Sequence, residues 1–498
     1  MAAAADTALT PETGPAPARR GGVTLPAREG RVIWLLLGAA FVAILNETTM
    51  GVAIPHLIKD LSITALQAQW LTTGFMLTMA VVIPVTGFLL QRFTTRSVFV
   101  AAMSLFSAGT LIALLSPGFS MLVVARVVQA SGTAIMMPLL MTTLMTVVPA
   151  AQRGRMMGRV SIVISLAPAI GPTLSGLLLD NLSWRWIFGI VLPIALIALG
   201  VGARWVHNLG ETTVAPIDVL SVVLSAFGFG GVVFGLSQIG EVAQTSGGSG
   251  DLAVLTLSVS LGVGVVALGL FGWRQVALQR RDDALLDLRV FRSANFSLSM
   301  AQMALMSVAF FGALTVLPLY LQNVVHADAT ETGLVLLPGS LAMGLAGPPI
   351  GRVYDRYGTR VLLIPGAIIT SAILWMFTAV GADSSVWFIA ILQTVLALGL
   401  ALSFTPLFTA SLASLQPRFY SYGSAVLGTV QQVAGAAGIA LMITVFSAVS
   451  ASAGGTPAEA GAAGARAAFL IAAIASLPLI VGAVVIRKPA DEVGEPTH

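Results

Sequence analysis

The sequence predicts an all-α integral membrane protein with fourteen transmembrane helices, organised as two six-helix halves plus two inserted helices. Three observations support this class: a scarcity of charge, repeated apolar stretches long enough to span a bilayer, and one duplicated turn. Of the 498 residues, 57% are hydrophobic and only 9% are charged, whereas about 25% of residues are charged in soluble globular chains. A water-exposed surface needs more charge than this. The length of the chain therefore predicts a number of membrane spans and not a number of soluble domains.

The apolar stretches give the expected spans. An α-helix rises about 1.5 Å per residue, so about twenty apolar residues cross a hydrocarbon core of roughly 30 Å. Apolar windows bounded by proline, glycine and charged residues predict fourteen spans. They cover residues 32–54, 69–90, 97–115, 119–147, 157–179, 185–205, 217–239, 251–273, 295–322, 333–351, 360–380, 385–413, 422–449 and 466–486.

The basic residues test this count independently. Cytoplasmic loops of membrane proteins are enriched in lysine and arginine. With the N-terminus in the cytoplasm, 21 of the 25 basic residues fall in cytoplasmic segments, whereas Lys59, Arg185 and Arg466 fall in outer segments and Arg126 lies inside a span. A missed or invented span would break this alternation. We therefore expect a multi-pass protein of the bacterial cytoplasmic membrane with both termini in the cytoplasm.

The same windows predict the domain boundaries. The linker between the inserted pair and the second half has apolar side chains among charges, which favours a short helix on the cytoplasmic membrane interface; an ordinary polar linker is the alternative. The expected segments are a disordered cytoplasmic tail (1–30), a first half (31–210), an inserted helix pair (211–280), the linker (281–293), a second half (294–487) and a cytoplasmic tail (488–498).

Two similar turns indicate an internal repeat. Gly87-Phe-Leu-Leu-Gln-Arg-Phe-Thr-Thr-Arg follows the second span, and Gly351-Arg-Val-Tyr-Asp-Arg-Tyr-Gly-Thr-Arg follows the tenth. The distance between them, 264 residues, also carries the first span onto 296–318 and the fifth onto 421–443. Spans 1–6 and 9–14 therefore form two parallel halves, and spans 7 and 8 are the inserted pair.

These turns resemble those of the major facilitator superfamily, whose halves each carry G-x-x-x-D-R-x-G-R-[RK] between their second and third helices. Five further motifs, between about residue 31 and residue 487, are similar to those of its fourteen-span drug:proton antiporters. They are Leu45-Asn46-Glu47-Thr48 through Ala53-Ile54-Pro55, Arg126-Val-Val-Gln129-Ala-Ser-Gly132, Gly171-Pro172-Thr-Leu-Ser-Gly176, Trp184-Arg185-Trp186-Ile-Phe188 and Leu285-Leu286-Asp287-Leu288-Arg289-Val-Phe291-Arg292.

Within that family, three segments resemble the lincomycin-type multidrug exporters. They are Asn-Glu-Thr in the first span, Leu-Gln-Arg-Phe-Thr-Thr-Arg in the first turn, and Gln431-Gln432-Val-Ala-Gly435 in the thirteenth span. The resemblance implies a major facilitator fold and export of amphipathic drugs in exchange for protons by alternating access. The implied partners are the lipid bilayer, protons and a small amphipathic substrate, and we expect a monomer.

Glu47 is the one acidic residue well inside an expected span. A charge at that depth costs a few kcal/mol or more unless it is paired or protonated. A carboxyl group removed from water holds a proton more readily near neutral pH, which is the property that a proton carrier needs. Glu47 is therefore the candidate for proton coupling, the alternative being a permanently protonated strut between helices. The family usually places its acid at the position of Asn46, about 100° around the helix.

Arg126 is the expected partner of Glu47 in proton coupling. The resemblance implies that Arg126 faces the central cavity and influences proton release. A structural anchor is the alternative, and the long side chain could instead extend to the cytoplasmic surface. Gln129, three residues further along, is expected to share its helix face. In the second half the repeat places Phe310 and Phe311 at the positions of Asn46 and Glu47, so coupling is expected in the first half alone.

Two groups of residues are candidates for conformational change. Gly171, Pro172 and Gly176 in the fifth span suit a kinked, small-residue contact between the halves, with ordinary helix packing as the alternative. The resemblance implies that the two turns hold helix ends together, although the first turn has Gln91 where the family has aspartate; topology alone also explains the arginines. The turn residues concerned are Arg92, Arg96, Asp355, Arg356 and Arg360.

Substrate contacts are less specific in the sequence. Polyspecific pockets offer flexible apolar walls, which methionine provides, and amides or aromatic rings at the same depth suit an amphipathic molecule; packing or lipid contact is the alternative for each. The candidates for the substrate cavity are Asn46, Gln129, Met136, Met137, Gln302, Gln393, Phe404 and Gln431.

Several other functions lack support in the sequence. There are no cysteines, and the four histidines are scattered, so we expect neither metal nor cofactor. The net charge of +4 reports membrane topology and predicts no nucleic-acid partner. No nucleophile and base are clustered and no phosphate loop is present, which argues against an enzyme and against ATP as energy source. Uptake, transport of an endogenous metabolite or lipid, and a channel are the remaining alternatives.

Overall fold

The computed structural model describes residues 27–208, 218–244 and 248–486. These residues form fourteen long α-helices and four short 3-10 helices. The long helices are α1 (Ala27–Asp60), α2 (Ala65–Arg92), α3 (Thr95–Leu114), α4 (Phe119–Val147), α5 (Arg153–Asn181), α6 (Arg185–Trp205), α7 (Val219–Gln244), α8 (Gly248–Leu278), α9 (Ala294–Asn323), α10 (Ala329–Tyr357), α11 (Arg360–Phe377), α12 (Val386–Ala413), α13 (Tyr420–Ser452) and α14 (Pro457–Val485). Except for residues 27–30, which begin α1, both expected tails lie outside the described residues.

These helices are long and apolar enough for the predicted membrane architecture. Thirteen of them contain windows that meet the length and hydropathy of a membrane span, and α5 is the fourteenth, with 29 residues. Capping boxes begin α2, α10 and α14, where Thr64, Asp328 and Thr456 each accept from the backbone three residues ahead. Such caps satisfy amide groups that have no partner within the helix. The prediction of an all-helical protein is confirmed, with thirteen helices long and apolar enough to span a membrane and α5 as a fourteenth helix of sufficient length.

The internal repeat is confirmed by the helix boundaries. Adding 264 to the bounds of α2 gives 329–356, against Ala329–Tyr357 for α10. Adding it to α4 gives 383–411, against Val386–Ala413 for α12. The agreement ends at α14, which begins later than the repeat requires because α13 is longer than α5. Helices α1–α6 and α9–α14 are therefore equivalent halves, and α7 and α8 stand between them in the chain.

The ends of the helices define two faces of the bundle. We call one the basic face; it carries the turns that join α2 to α3, α4 to α5, α10 to α11 and α12 to α13. The other end is the opposite face. Because successive helices alternate in direction, α1 and α5 run from the basic face to the opposite face, whereas α2 and α4 run back.

The inserted pair packs mainly on itself, and α7 also contacts α2 and α13, one helix from each half. At the basic face, the Nε and Nη2 of Arg274 on α8 donate to the carboxylate of Asp218 at 2.7 and 2.8 Å. Nearby, Gln275 donates to the hydroxyl of Ser221 at 2.7 Å and accepts from the backbone N–H of Leu286 at 3.1 Å. Polar contacts therefore tie α7, α8 and the linker together.

The linker differs from the expected interfacial helix. Its helical part is a 3-10 helix, Leu288–Arg292, and its side chains Leu285 and Leu286 are buried in the protein, with 1% and 4% exposed. Asp287, also buried, accepts from Arg289 at 2.6–3.0 Å. The leucines point into the protein because the ion pair and the contact with Gln275 satisfy the polar groups around them.

Candidate functional site

Arg126 is the centre of a buried polar network in the first half. Its Nη1 donates to the Oδ1 of Asn46 at 3.2 Å and to the Oε1 of Gln129 at 2.7 Å. Arg126 and Asn46 are each 1% exposed, and Gln129 is fully buried. Gln129 shares the face of Arg126 because residues three apart are neighbours on a helix surface. The network joins α1 to α4.

Helix α2 supplies two further contacts to the guanidinium. The Nε of Arg126 donates to the carbonyl oxygen of Leu71 at 3.4 Å, and its Cζ lies 4.1 Å from the centre of the Phe75 ring. A desolvated cation over an aromatic face gains about 2 kcal/mol. Because Arg126 is 1% exposed and donates its hydrogen bonds inside the protein, the alternative that its side chain extends to a membrane surface is wrong. Of the described residues, it is the only arginine or lysine that is buried.

Glu47 lies on a third face of α1. Asn46 faces α4 through its bond to Arg126, and the hydroxyl of Thr48 faces α5, where it lies 3.5 Å from the carbonyl oxygen of Ala167. Successive helical residues are about 100° apart, so Glu47 points between these two directions. Its side chain is partly exposed.

The carboxylate of Glu47 is unpaired within the described part of the chain, where it has no hydrogen bond and no ion pair. Arg126 is close enough to attract the carboxylate of Glu47 electrostatically. Its hydrogen bonds, however, are donated to the neutral oxygens of Leu71, Asn46 and Gln129. Away from helix ends, Glu47 is the one acidic position among the residues that the structure describes. No ion pair of Glu47 would therefore have to break if its carboxyl group gained or lost a proton.

The second half carries apolar side chains at the equivalent positions. Phe310 and Phe311 have ring centres 5.1 Å apart, and Phe310 lies 5.9 Å from Phe404. Ala390 stands where the repeat requires the equivalent of Arg126, and Gln393 stands at the equivalent of Gln129. The two halves thus present a polar network and an aromatic cluster at the same level of the bundle.

The structure separates the candidates for the substrate cavity. Met136 is 1% exposed and packs in the hydrophobic core, so it is unavailable to a ligand, whereas Met137 is partly exposed. Asn46 and Gln129 face Arg126 and are enclosed. Gln431 and Phe404 are partly exposed, and Gln393 is 8% exposed. For Gln431, Phe404, Gln393 and Met137, a place in the substrate cavity stays a prediction.

Gln302 does not belong to a site between the halves. Its Nε2 donates to the carbonyl oxygens of Pro478 and Leu479 on α14 at 3.3 and 3.2 Å. A Cβ atom on Gly482 would overlap this amide. Gln302 therefore links α9 to α14 inside the second half, and its assignment to the cavity is wrong.

The halves meet along two crossings near the basic face. At the first crossing, Gly154 and Gly158 of α5 lie against Gly351 and Gly347 of α10, and a Cβ atom on any of them would overlap backbone of the other helix. At the second crossing, Gly87 of α2 lies against the ring of Tyr422 on α13. Two hydroxyl pairs beside these crossings also join the halves: Ser161 of α5 with Thr405 of α12, and Thr142 of α4 with Ser424 of α13.

The duplicated turns contribute one contact to each crossing. The carboxylate of Asp355 accepts from the backbone N–H groups of Gly154 and Arg155 at 2.8 Å each, which caps the N-terminus of α5. At the equivalent position, the amide of Gln91 donates to the carbonyl oxygen of Arg418. The turn residues therefore do bridge the two halves.

The arginines of these turns are less engaged. The guanidinium of Arg356 lies 5.2 Å from the ring of Tyr357, and the Nε of Arg360 is buried without a partner among the described residues. Arg96 is exposed and Arg92 is partly exposed. A role for Arg92 and Arg96 beyond topology stays a prediction.

Gly171 and its neighbours lie elsewhere than expected. A Cβ atom on Gly171 would overlap the hydroxyl of Thr48 on α1, in the same half, and one on Gly176 would meet nothing within 4 Å. The side chain of Pro172 lies outside the described residues. In this structure α5 approaches α10 at its beginning, so the contact between the halves does not involve Gly171 or Gly176. Their role in gating, together with that of Pro172, stays a prediction.

Sequence reasoning missed three parts of the site: Leu71 and Phe75 on α2, and Thr110 on α3, which accepts from the Nε2 of Gln129 at 2.8 Å. No motif marks them. It also missed the glycine crossing, although Gly154-x-x-x-Gly158 and Gly347-x-x-x-Gly351 carry the spacing of closely packed membrane helices. In the described ranges no group of histidine, aspartate and glutamate residues could hold a metal ion.

The family profile described as Major Facilitator Superfamily matches residues 36–439 and 298–498. An uncharacterised MFS-type transporter of Bacillus subtilis is 42% identical over 465 residues, covering 93% of this chain and 96% of the relative. A lincomycin resistance protein of Listeria monocytogenes is 42% identical over 417 residues, 84% of this chain and 86% of the relative. A multidrug resistance protein B homolog of Mycobacterium tuberculosis is 30% identical, with 81% and 74% covered.

Solved structures agree on the fold. The human organic anion transporter MFSD10 aligns with a TM-score of 0.63 at 14% identity, covering 92% of this chain and all of that one. A transporter solved in an outward conformation aligns with a TM-score of 0.61, also at 14% identity, with 92% and 99% covered. At this identity the likeness concerns architecture alone.

Proposed function

The chain belongs to the major facilitator superfamily, and from this premise we propose that it is a proton-coupled antiporter that exports amphipathic drugs or related small molecules. Export by alternating access across the cytoplasmic membrane is the proposed mechanism. The observation that carries the proposal is Glu47, the unpaired carboxyl group within electrostatic range of Arg126.

Glu47 is suited to carry the coupling proton. Its side chain lies on the face of α1 between Asn46 and Thr48, partly exposed and without a hydrogen-bond partner in the described part of the chain. A carboxyl group in a low-dielectric environment changes its protonation state at a pH nearer neutrality than one in water. Binding of a substrate at the same face and retention of the proton can then exclude each other, which is the requirement for antiport.

Arg126 limits how tightly that proton is held. A positive charge nearby favours the deprotonated carboxylate, whereas a direct ion pair would fix Glu47 in that form. The bonds from Arg126 to Asn46, Gln129 and Leu71 keep the guanidinium on neutral oxygens. Arg126 can therefore attract the carboxylate of Glu47 without forming an ion pair with it, and both protonation states of Glu47 remain accessible.

The two crossings suit a state that is closed at the basic face. On α5 the contacts with the other half run from Arg153 to Ser165, within the first part of the helix. The positive-inside rule assigns the basic face to the cytoplasm. Both termini are then cytoplasmic, and in this state access to Glu47 comes from the opposite side. Rocking of the halves about the crossings would reverse that access.

The substrate class rests on the relatives and on the aromatic cluster. Two of the relatives are named for resistance to lincomycin and to multiple drugs. The rings of Phe310, Phe311 and Phe404 offer an apolar surface in the second half, whereas the polar network lies in the first. An amphipathic molecule can contact both, which fits a transporter of drug-like compounds.

Flux in sealed vesicles tests the proposal. Purified protein is reconstituted, and transport of lincomycin and of a fluorescent cationic dye is measured with the proton gradient imposed in each direction. We expect accumulation on the side from which protons leave, and loss of gradient dependence in Glu47→Gln. Glu459→Gln is the matched control, since Glu459 is an exposed carboxylate in the first turn of α14. Gradient-driven transport at the wild-type rate in Glu47→Gln would contradict the assignment, and symport with protons would indicate uptake.

A further inference from the structure

We propose that Thr110 of α3 is a positioning residue for Arg126 and acts through Gln129. The inference deepens the proposed function and rests on it for the transport readout. Thr110 lies outside every motif of the sequence, and its hydroxyl is the last side chain of a hydrogen-bond chain that begins at Arg126.

The donors in this chain all point one way. Thr110, fully buried, donates its only hydroxyl hydrogen to the carbonyl oxygen of Phe106 at 2.7 Å. Its oxygen can therefore act only as an acceptor towards Gln129, whose Nε2 lies 2.8 Å away. With the amide nitrogen held there, the Oε1 of Gln129 must face Arg126, where it accepts at 2.7 Å. Thr110 thus fixes which end of the amide meets the guanidinium.

Close packing of α3 and α4 brings Thr110 within reach. A Cβ atom on Gly109 would overlap the backbone of Gln129, and one on Gly132 would overlap the backbone of Ala102 and Phe106. Glycine at these two positions lets the helix backbones touch, as small residues do in membrane helix pairs. Thr110 and Gln129 are consequently held at a fixed separation, and the hydroxyl needs no rearrangement to meet the amide.

The second half has neither the threonine hydroxyl nor the arginine at the equivalent positions. The repeat places Leu374 at the position of Thr110, Gln393 at that of Gln129 and Ala390 at that of Arg126. An amide survives in both halves, but the orienting hydroxyl is found only beside the amide that faces a cation. This pairing is expected if the hydroxyl serves the arginine and not the contact between helices.

The guanidinium has one opposite charge to move towards. The helices packed against α4 contribute Glu47 on α1 and no other charged side chain at this depth. Their remaining charged or titratable side chains of this kind lie near helix ends: Arg28, Glu29, Arg31, His56, Lys59 and Asp60 on α1, Arg92 on α2, Arg96 on α3, and Arg153, Arg155, Arg159 and Asp180 on α5; α13 has no charged residue. If the amide of Gln129 turned its NH2 group to Arg126, the arginine would lose its shortest bond and shift towards Glu47.

Four single variants and one double variant test the inference by the pH profile of transport. Thr110→Val removes the acceptor and keeps the shape, and Thr110→Ser restores the hydroxyl. Thr133→Val is the matched control, because this buried threonine donates to the carbonyl oxygen of Gln129 in its own helix and orients no side chain. Gln129→Met with and without Thr110→Val completes a double-mutant cycle. Thermal melting of each purified variant reports folding.

We expect Thr110→Val to lower gradient-driven transport about five- to tenfold at neutral pH, as for loss of a buried hydrogen bond to a charged network. The pH of half-maximal rate should move to lower pH, because a carboxylate that approaches a cation releases its proton more readily. Thr110→Ser and Thr133→Val should keep the wild-type profile, and in the Gln129→Met background Thr110→Val should have no further effect.

A Thr110→Val profile that coincides with that of Thr133→Val overturns the inference, as does an additive effect in the Gln129→Met background. If Thr110→Val fails to fold, Thr110→Ala is measured against Thr110→Ser by the same criteria. Failure of the proposed function is distinguishable: Glu47→Gln would then retain gradient-driven transport. If Glu47→Gln loses coupling while Thr110→Val is unaffected, the positioning role alone is wrong.

Discussion

The crossing of α5 with α10 and the crossing of α2 with α13 occupy equivalent places in the two halves, yet they are built differently. Gly158 meets Gly347 at the first, and the repeat positions of these glycines at the second are Tyr422 and Ile83. Backbone therefore touches backbone on one side of the protein, and side chains fill the space on the other. The second crossing is also covered by α7 of the inserted pair, which contacts both of its helices.

This difference indicates that the two crossings have different roles in the closed state. Backbone contacts between glycines leave no side chain that can yield, so the α5–α10 crossing has one closely defined closed position. At the α2–α13 crossing, the atoms nearest the Cβ position of Gly87 lie 3.0–3.3 Å away, whereas backbone atoms lie 2.3–2.9 Å from the Cβ position of Gly158. We expect the first crossing to fix the closed state and the second to tolerate adjustment.

The largest effect is expected from Gly158→Ala. The added methyl group would overlap the backbone of Gly347 and Pro348, neither of which can move without separating the helices. Overpacking of this kind costs about 1–3 kcal/mol, which lowers the ratio of closed to open molecules about fivefold or more. The chain has no cysteine, so a cysteine introduced at Ser424, buried between the halves, reports opening through its labelling by a membrane-impermeant maleimide added at the basic face.

Two glycines provide the comparison for that experiment. Gly87→Ala should raise the labelling rate less than about threefold, because its neighbours at 3.0–3.3 Å are chiefly side chains. Gly269→Ala on α8, where a Cβ atom meets nothing within 4 Å, should leave the rate unchanged. Equal labelling in Gly158→Ala and Gly87→Ala would contradict the asymmetry of the crossings.

The turn contacts should show the same asymmetry at smaller scale. Asp355→Ala removes the acceptor of two backbone N–H groups at the N-terminus of α5, and loss of such a cap costs about 1 kcal/mol. Gln91→Ala removes a bond to the carbonyl oxygen of Arg418 at an exposed site, where a neutral hydrogen bond contributes about 0.5–1 kcal/mol. Labelling at the introduced cysteine should therefore rise severalfold in Asp355→Ala and less in Gln91→Ala. The reverse order would remove the capping argument.

Much of the architecture is predictable because membrane spans impose a regular length and the two halves repeat. The windows, the distance of 264 residues and the inserted pair all follow from hydropathy and from one duplicated turn. The linker was harder to predict, since Leu285 and Leu286 have the same amphipathic pattern whether lipid or protein covers them. Only tertiary contacts distinguish the two cases.

The sequence predicts those residues of the site whose side chains are rare inside membrane spans. A carboxylate and an arginine inside spans stand out, so Glu47 and Arg126 could be identified, and Gln129 follows from helix geometry. Thr110 and Phe75 are residue types that recur in most spans, and their relation to Arg126 depends on helices brought together by folding. Gln302 was misplaced for the same reason: an amide pattern in the sequence does not distinguish the central face of α9 from the face towards α14.

The smallest effect is expected where the inserted pair is held together beside the α2–α13 crossing. Arg274 donates two hydrogen bonds to Asp218 and thereby holds the pKa of that carboxyl group below its usual value, with Ser221 adding to the effect. A lowered pKa in the folded state stabilises the protein above the ordinary value of about 4, and this contribution is lost as pH falls through the folded-state pKa. Because the pair is partly exposed to solvent, Asp218→Asn should destabilise by no more than about 1 kcal/mol at pH 7. Thermal melting of the two proteins in detergent should differ at pH 7, and the difference should shrink as the pH is lowered below about 4.

The labelling rate at the introduced cysteine should rise slightly in Asp218→Asn if α7 supports the adjustable crossing. An unchanged labelling rate with an altered melting temperature would show that the pair of Arg274 and Asp218 stabilises only the inserted helices.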